Sequence, residues 1–305
     1  MSAPALFDAP GPKTRALYNV FTVVALAVVA VIGYVVITKM GEKGQLAPYM
    51  WEPFLTPVAW VEYLIPGLLG TLRAAATAIV LALVFGLLFG MGRLSRSPFI
   101  RIPCGLVVEF FRAVPVLIMV IFAFGVYSGL QLFGSALNPF IAVVTALTLY
   151  NGSLIAELVR SGVNALPKGQ SEAGLSIGLT RGQTLRQIQL PQALTAMLPA
   201  LIGQTVVILK DSALGYSITY LDLLNWSKTL GSAYGNTIPA YIVAAGLFIT
   251  LNYLLTRLAS LVEHRLRSRG RTAGAVTQAI PAAPLGPPEG EEILHPHGHQ
   301  EEPPR

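Results

Sequence analysis

The chain has 305 residues, of which 53% are hydrophobic and only 12% are charged, and its mean hydropathy is +0.62. A soluble core of this size could not bury so much apolar surface, which predicts an all-α integral membrane protein. The net charge of +6 does not indicate nucleic-acid binding, because Lys and Arg fall mainly between the apolar runs, as topology signals do. A single cysteine, Cys104, excludes an internal disulfide.

The first apolar run, residues 16–37, follows a Pro- and Ala-rich segment, residues 1–15, that ends with Lys13 and Arg15. The run is too long for the apolar part of a signal peptide, and no small-residue cleavage site follows it. We therefore expect a retained transmembrane helix. The basic residues in front of it predict that residues 1–15 lie on the cytoplasmic side.

A second span covers residues 74–92, which are bracketed by arginines. Pro and Gly interrupt the residues just before it, 64–71, and we expect these to form an elbow at the membrane surface rather than membrane-spanning helix. Within the span, Gly86 and Gly90 are four residues apart. This spacing either lets another helix approach closely or is merely tolerated in lipid.

Four further spans follow, at about residues 103–128, 140–159, 193–216 and 238–262. Lys and Arg cluster in alternate loops and after the last span, which places both termini on the cytoplasmic side. Residues 271–305 are rich in Ala, Pro, Gly and Glu, which predicts a disordered cytoplasmic tail. No carboxylate or Cys framework holds its alternating histidines, so we interpret them as solvated side chains rather than metal ligands: His295, His297 and His299.

Residues 161–192 form a polar loop between the fourth and fifth spans. Gly178 suits a left-handed helix C-terminus, and Thr180 and Gln183 have the spacing of a capping box. Pro191 marks the start of a new segment. The loop is therefore predicted to form a helix, a tight turn and a second helix.

The spacing E-A-(A/G)-x3-G-x9-I-x-L-P in this loop resembles the EAA coupling loop of ABC importer permeases, by which a membrane subunit docks into its ATPase. The resemblance covers about residues 67–261 and is greatest for the polar amino acid branch. It implies a type I importer bundle of about six transmembrane helices, with a core at residues 64–264, a cytoplasmic coupling helix pair and residues 16–37 as an added helix. It assigns coupling to Glu172, Ala173, Gly174, Gly178, Ile188, Leu190 and Pro191.

Ionisable residues inside the spans need partners or a water-filled path. Glu109 and Arg112 are three residues apart on one helix, and so are Glu157 and Arg160. These couples form either an inner gate that exchanges partners between helices or fixed pairs that satisfy buried charge. Pro115, which completes an ExxRxxP pattern usual in the family, predicts a kink, although Ala and Val precede it here where Gly and Thr are common.

Three further polar residues are candidates for the substrate path. Lys210 and Asp211 lie near the end of the fifth span that is distant from the coupling loop, and they either line the entrance for a charged substrate or anchor the helix at the interface. Asn151 lies near the middle of the fourth span. We interpret Asn151 as the better candidate for a polar group that meets the substrate.

The resemblance implies a permease subunit of an amino acid importer in a bacterial cytoplasmic membrane, with glutamate as the first choice of substrate and glutamine, aspartate or a basic amino acid as alternatives. The chain lacks a G-x-x-x-x-G-K-[ST] motif, so we expect no cofactor on it and ATP-Mg on the partner. The implied partners are an ATPase dimer, a second permease that is related or identical, a binding protein and membrane lipid. The alternative is an ion-coupled secondary transporter, which would usually show an inverted repeat.

Overall fold

The computed structural model describes residues 11–277, with side chains for residues 13–261. This part of the chain forms helices and no strand, as predicted. The helices are α1 Pro12–Glu42, α2 Pro48–Trp51, α3 Ile65–Arg93, α4 Pro98–Ala113, α5 Val116–Gly129, α6 Asn138–Asn164, α7 Lys168–Ser176, α8 Arg181–Thr184, α9 Leu190–Asp211, α10 Leu223–Tyr234 and α11 Thr237–Thr277. Short 3₁₀ or π segments adjoin them at Glu52–Leu55, Ala59–Leu64, Leu185–Gln189 and Ser212–Ile218.

The chain divides into two compact units, residues 1–263 and residues 264–305. All the contacts described below lie within the first unit. The last helix continues to Thr277 and so overlaps the predicted tail, residues 271–305. The predicted tail histidines, and most of the predicted N-terminal segment, lie outside the described residues.

Five helical stretches are long and apolar enough to cross a membrane, and a bent pair supplies a sixth when α4 and α5 are taken as one span. The prediction of about six spans is therefore confirmed. The span predicted at about residues 103–128 is two helices rather than one kinked helix, because α4 and α5 meet at 102°. Val114 is extended, with φ −83° and ψ 127°, since a residue before proline is driven out of the helical region. The kink predicted at Pro115 is confirmed.

The elbow predicted for residues 64–71 is wrong, because helix runs unbroken from Ala59 to Arg93. Pro66 closely follows a π segment, whose wider turn leaves room for the proline ring. The glycines of residues 64–71 instead allow other parts of the chain to pack closely against α3. A Cβ on Gly70 would overlap the Leu221 carbonyl oxygen, so only glycine fits at this position.

The end of the bundle that is distant from α7, called the far end here, is closed by contacts between α3 and residues 219–223. The Tyr220 hydroxyl donates to the Gly70 carbonyl at 2.7 Å, and the Leu223 N–H donates to the Thr71 hydroxyl at 3.0 Å. Asp222 caps α10 by accepting from the Asn225 N–H, and burial raises the pKa of its carboxyl to about 7. The sequence analysis did not identify α10 as a helix.

Helix α6 is the centre of the bundle, and it packs against α3, α4, α5 and α9. Its closest neighbour is α3, and the contact is made where glycines remove the side chains. A Cβ on Gly86 would overlap the Ile155 side chain, and one on Gly90 would lie 2.8 Å from Val159. The interpretation of these two glycines as a close-approach pair is confirmed.

We predict that Gly86→Ala lowers the stability of the folded chain by about 1–3 kcal/mol, because the added methyl group overpacks the contact with Ile155. Gly125→Ala is the matched control, since Gly125 lies in α5 and an added Cβ there would have no atom within 4 Å. Thermal unfolding of both variants in the same detergent tests this. Equal unfolding midpoints would contradict the packing role of Gly86.

Candidate functional site

Helix α7 begins the polar loop and ends in the turn that its glycine predicts. Gly178 has φ +84°, its N–H donates to the Leu175 carbonyl, and the Leu179 N–H donates to the Gly174 carbonyl at 3.1 Å. These two bonds form a Schellman motif, which satisfies the last carbonyls of α7. The turn is fixed locally, because the left-handed backbone at position 178 requires glycine.

The second half of the loop begins with the predicted capping box. The Thr180 hydroxyl accepts from the Gln183 N–H, and the Gln183 side chain accepts from the Thr180 N–H at 2.8 Å. The prediction that Pro191 separates two segments is wrong, because helix continues from Arg181 through a π segment into α9. The π segment ends shortly before Pro191. Its wider turn leaves room for the proline ring, which would clash with the preceding turn of a regular α-helix.

The two halves of the loop pack together through Gly174, which is buried against α8. A Cβ at this position would lie 2.6 Å from Thr184 and 3.1 Å from Ile188. Glu172 and Ala173 remain exposed beside it, and the Ile177 side chain at the tip is 75% exposed. The loop therefore forms a compact projection that exposes both polar and apolar side chains.

The loop joins α6 to α9, and side chains tie these two helices together at several levels. The Gln192 amide donates to the Gln170 side chain at 2.9 Å next to the loop. Further along, the Gln204 amide donates to the fully buried Asn151 at 2.6 Å. This bond gives Asn151 a helix-pairing role, and its contact with a substrate stays a prediction.

An ion-pair network connects α3, α4 and α6 near the end of α6 that leads into the loop. Arg93 donates to Glu157 at 2.7 Å and to Glu109 at 2.8 Å. Arg112 lies 3.5 Å from Glu157 and 3.6 Å from Glu109, and Arg160 pairs with Glu157. Glu157 therefore forms ion pairs with three arginines.

The network contains both of the predicted pairs within single helices, but it also joins the helices to each other. Arg93 makes these connections, and the sequence analysis assigned it only to a basic loop. Its side chain is 12% exposed, so it is nearly enclosed by the two carboxylates and the helices around it. Glu157 lies seven residues before the last residue of α6, about 10 Å along the helix axis. The network therefore lies about two helical turns from the end of α6 that leads into the loop.

Lys210 and Asp211 are the last two residues of α9, at the far end of the bundle. The Lys210 side chain is exposed and Asp211 is half-buried. No group of His, Cys, Asp and Glu among the described residues could hold a metal ion. The described candidate residues thus separate into three groups: the polar loop and the ion network at one end, Asn151 between the helices, and this pair at the other end.

We predict that Arg93→Gln lowers stability by about 2 kcal/mol, because Glu157 loses a charge-assisted hydrogen bond in a partly buried setting. Arg96→Gln is the control, since Arg96 is exposed in the same loop and makes no ion pair in the described part of the chain. The measurement is the unfolding midpoint of each purified variant in detergent. An Arg93 variant as stable as the Arg96 variant would contradict a structural role for the network.

Comparison with known proteins identifies the family. Residues 78–268 match the model of the binding-protein-dependent transport system inner membrane component. The glutamate transport system permease protein GluD of Corynebacterium glutamicum is 45% identical over 242 residues, covering 79% of this chain and 88% of that protein. The probable glutamine ABC transporter permease protein GlnP of Bacillus subtilis is 34% identical, covering 67% and 94%.

A solved structure agrees in fold. The crystal structure of an amino acid ABC transporter with histidines superposes with a TM-score of 0.63 at 28% identity, covering 70% of this chain and 98% of that chain. The family match spans more than half of the sequence and includes both the loop and the whole ion network. The chain belongs to the family of binding-protein-dependent transport system inner membrane components.

Proposed function

We propose that the chain is the permease subunit of an ABC importer for polar amino acids, with glutamate as its substrate. The observation that carries this proposal is the α7–α8 projection, whose exposed Glu172, Ala173 and Ile177 stand on a turn fixed by Gly178. Such a projection suits docking into the cleft of an ATPase subunit. The 45% identity to a glutamate permease over most of both chains supports the choice of substrate.

The coupling step follows from how the projection is attached. Helix α6 enters it and α9 leaves it, and the Gln170–Gln192 and Asn151–Gln204 bonds hold these two helices together. A displacement of the projection by the ATPase would therefore move both helices as one body. The ATPase must contact the projection differently in its open and closed forms, because only a difference in binding free energy shifts the conformation.

Several partners follow from this function. Because one chain supplies one projection and an ATPase dimer has two clefts, a complete importer contains a second permease, either related or identical. The ATPase subunits hold ATP-Mg, this chain holds no cofactor, and an extracytoplasmic binding protein delivers the amino acid. In this arrangement the loop and both termini lie in the cytoplasm of a bacterial cell, and the core and tail have the boundaries predicted above.

We expect Glu172→Lys and Gly178→Pro to abolish amino acid uptake while the chain still inserts and assembles as a membrane protein. The first reverses a charge on the exposed docking surface, and the second forbids the φ of +84° that the turn requires. Glu62→Lys and Gly182→Ala are matched controls, because Glu62 is exposed outside the loop and Gly182 has open space around it. Full uptake by the first pair would exclude the coupling role.

Competition by unlabelled amino acids against labelled glutamate tests the substrate. We expect glutamate to compete best.

The Lys210→Ala variant tests the far end of α9. If the exposed ammonium group meets the substrate carboxylate, this variant should reduce uptake more than it reduces assembly with the ATPase. Lys43→Ala is the control, since Lys43 is also exposed but follows α1. Competition by arginine and not by glutamate would contradict glutamate as the substrate. Uptake driven by an ion gradient without the ATPase would contradict the proposal that the chain is part of an ABC importer.

A further inference from the structure

Helix α4 has an apolar face that points away from the bundle. Phe99, Ile102, Leu106 and Phe110 follow each other at spacings of three and four residues, and each is more than half exposed. The opposite side of α4 packs against α3 and α6. Helix α4 meets the apolar helix α5 at 102°. If α5 enters the membrane, α4 therefore lies along the membrane surface. An amphipathic helix in this position buries its apolar face at the boundary between headgroups and acyl chains.

A basic cleft of about 430 Å³ lies beside this face. It is lined by Arg93, Arg101 and Arg160 together with Glu109, and by Ile102 and Leu106 of the apolar face. The cleft therefore combines guanidinium groups and apolar side chains within one small volume. This combination matches a phosphate headgroup joined to an acyl chain.

The cleft and the ion network behind it carry excess positive charge. Arg93, Arg101, Arg112 and Arg160 supply four positive charges and the two glutamates supply two negative charges, which leaves +2. Arg93 is committed to both glutamates, and Arg160 donates two hydrogen bonds to Glu157, which leaves Arg101 as the principal site for an added anion. Among the residues whose side chains are described, no carboxylate lies within 4 Å of Arg101. An anion bound at Arg101 would neutralise part of this excess charge.

We propose that the cleft binds an anionic phospholipid, with its phosphate at Arg101 and Arg160 and an acyl chain along Ile102 and Leu106. Charge complementarity and the apolar face adjoining the cleft favour a lipid over a soluble anion, which would use only the arginines. The lipid would occupy the outer side of the ion network that contains Glu109. The proposal requires α4 to lie at a membrane surface, and it does not depend on the identity of the transported substrate.

Photo-crosslinking tests the proposal directly. Leu106, which is 67% exposed, is replaced by the photoreactive amino acid p-benzoylphenylalanine. The full chain, purified with the subunits that accompany it, is placed in vesicles of equimolar phosphatidylglycerol and phosphatidylcholine and irradiated. Mass spectrometry then identifies the adduct. We expect phosphatidylglycerol adducts to exceed phosphatidylcholine adducts.

Charge variants in the same background separate a site from general surface attraction. Arg101→Gln is expected to lower the ratio of the two adducts about five-fold, as expected for one arginine near an anionic lipid. Arg101→Lys should retain most of the ratio. Arg96→Gln should leave it unchanged, because Arg96 lies in the loop before α4 and does not line the cleft. Size-exclusion chromatography establishes that each variant remains folded and assembled.

Three results would overturn the proposal: equal adducts with both lipids, a ratio that Arg101→Gln does not change, or adducts mainly with a protein chain. The last result would identify the α4 face as a subunit interface. Amino acid uptake by the same vesicles is measured in parallel. Uptake without a phosphatidylglycerol preference would contradict only the lipid site, and a preference without uptake would contradict only the proposed transport function.

Discussion

The close packing of α6 against α3 is the contact on which the other features depend. Gly86 and Gly90 leave no room for a side chain between the helices, and α6 contributes Gly152 at the same interface. Small residues are effective in a membrane because they let two helices gain van der Waals contact without a hydrophobic driving force. This approach also sets the register of the two helices, and the register brings Arg93 to Glu157.

The ion network gives the broken span a fixed position. Since α4 and α5 meet at 102°, the chain is sharply bent at Pro115 and the two helices point in different directions. Glu109 and Arg112 near the end of α4 are held by residues of α3 and α6, so the bend at Pro115 is braced on its α4 side. The network thus includes α6, the helix that leads into the polar loop. The Arg101 side chain adds positive charge on the exposed side of α4.

The loop and the two spans beside it form one mechanical unit. The tight turn at Gly178 and the packing of Gly174 on Thr184 keep the projection rigid, and helix continues from α8 into α9 without a break. The hydrogen bond between Gln204 and Asn151 is a second link between α6 and α9, inside the membrane-spanning part, where an unpaired amide would be costly. Such a projection on a packed pair of helices is the structural basis of the coupling proposed above.

The spans and the local structure of the loop could be predicted from the amino-acid sequence, because both depend on residues close together in the chain. Apolar runs of sufficient length predict helices, and the capping box of Thr180 and the turn at Gly178 are set by neighbours within a few residues. The role of Arg93 was not predictable, because its partner Glu157 is 64 residues away. Asn151 was expected at a substrate path, and only the packing of α9 shows that its side chain is buried with Gln204. The glycines of residues 64–71 indicated a broken helix in the sequence, and tertiary structure decided otherwise because residues 221–223 pack directly against them.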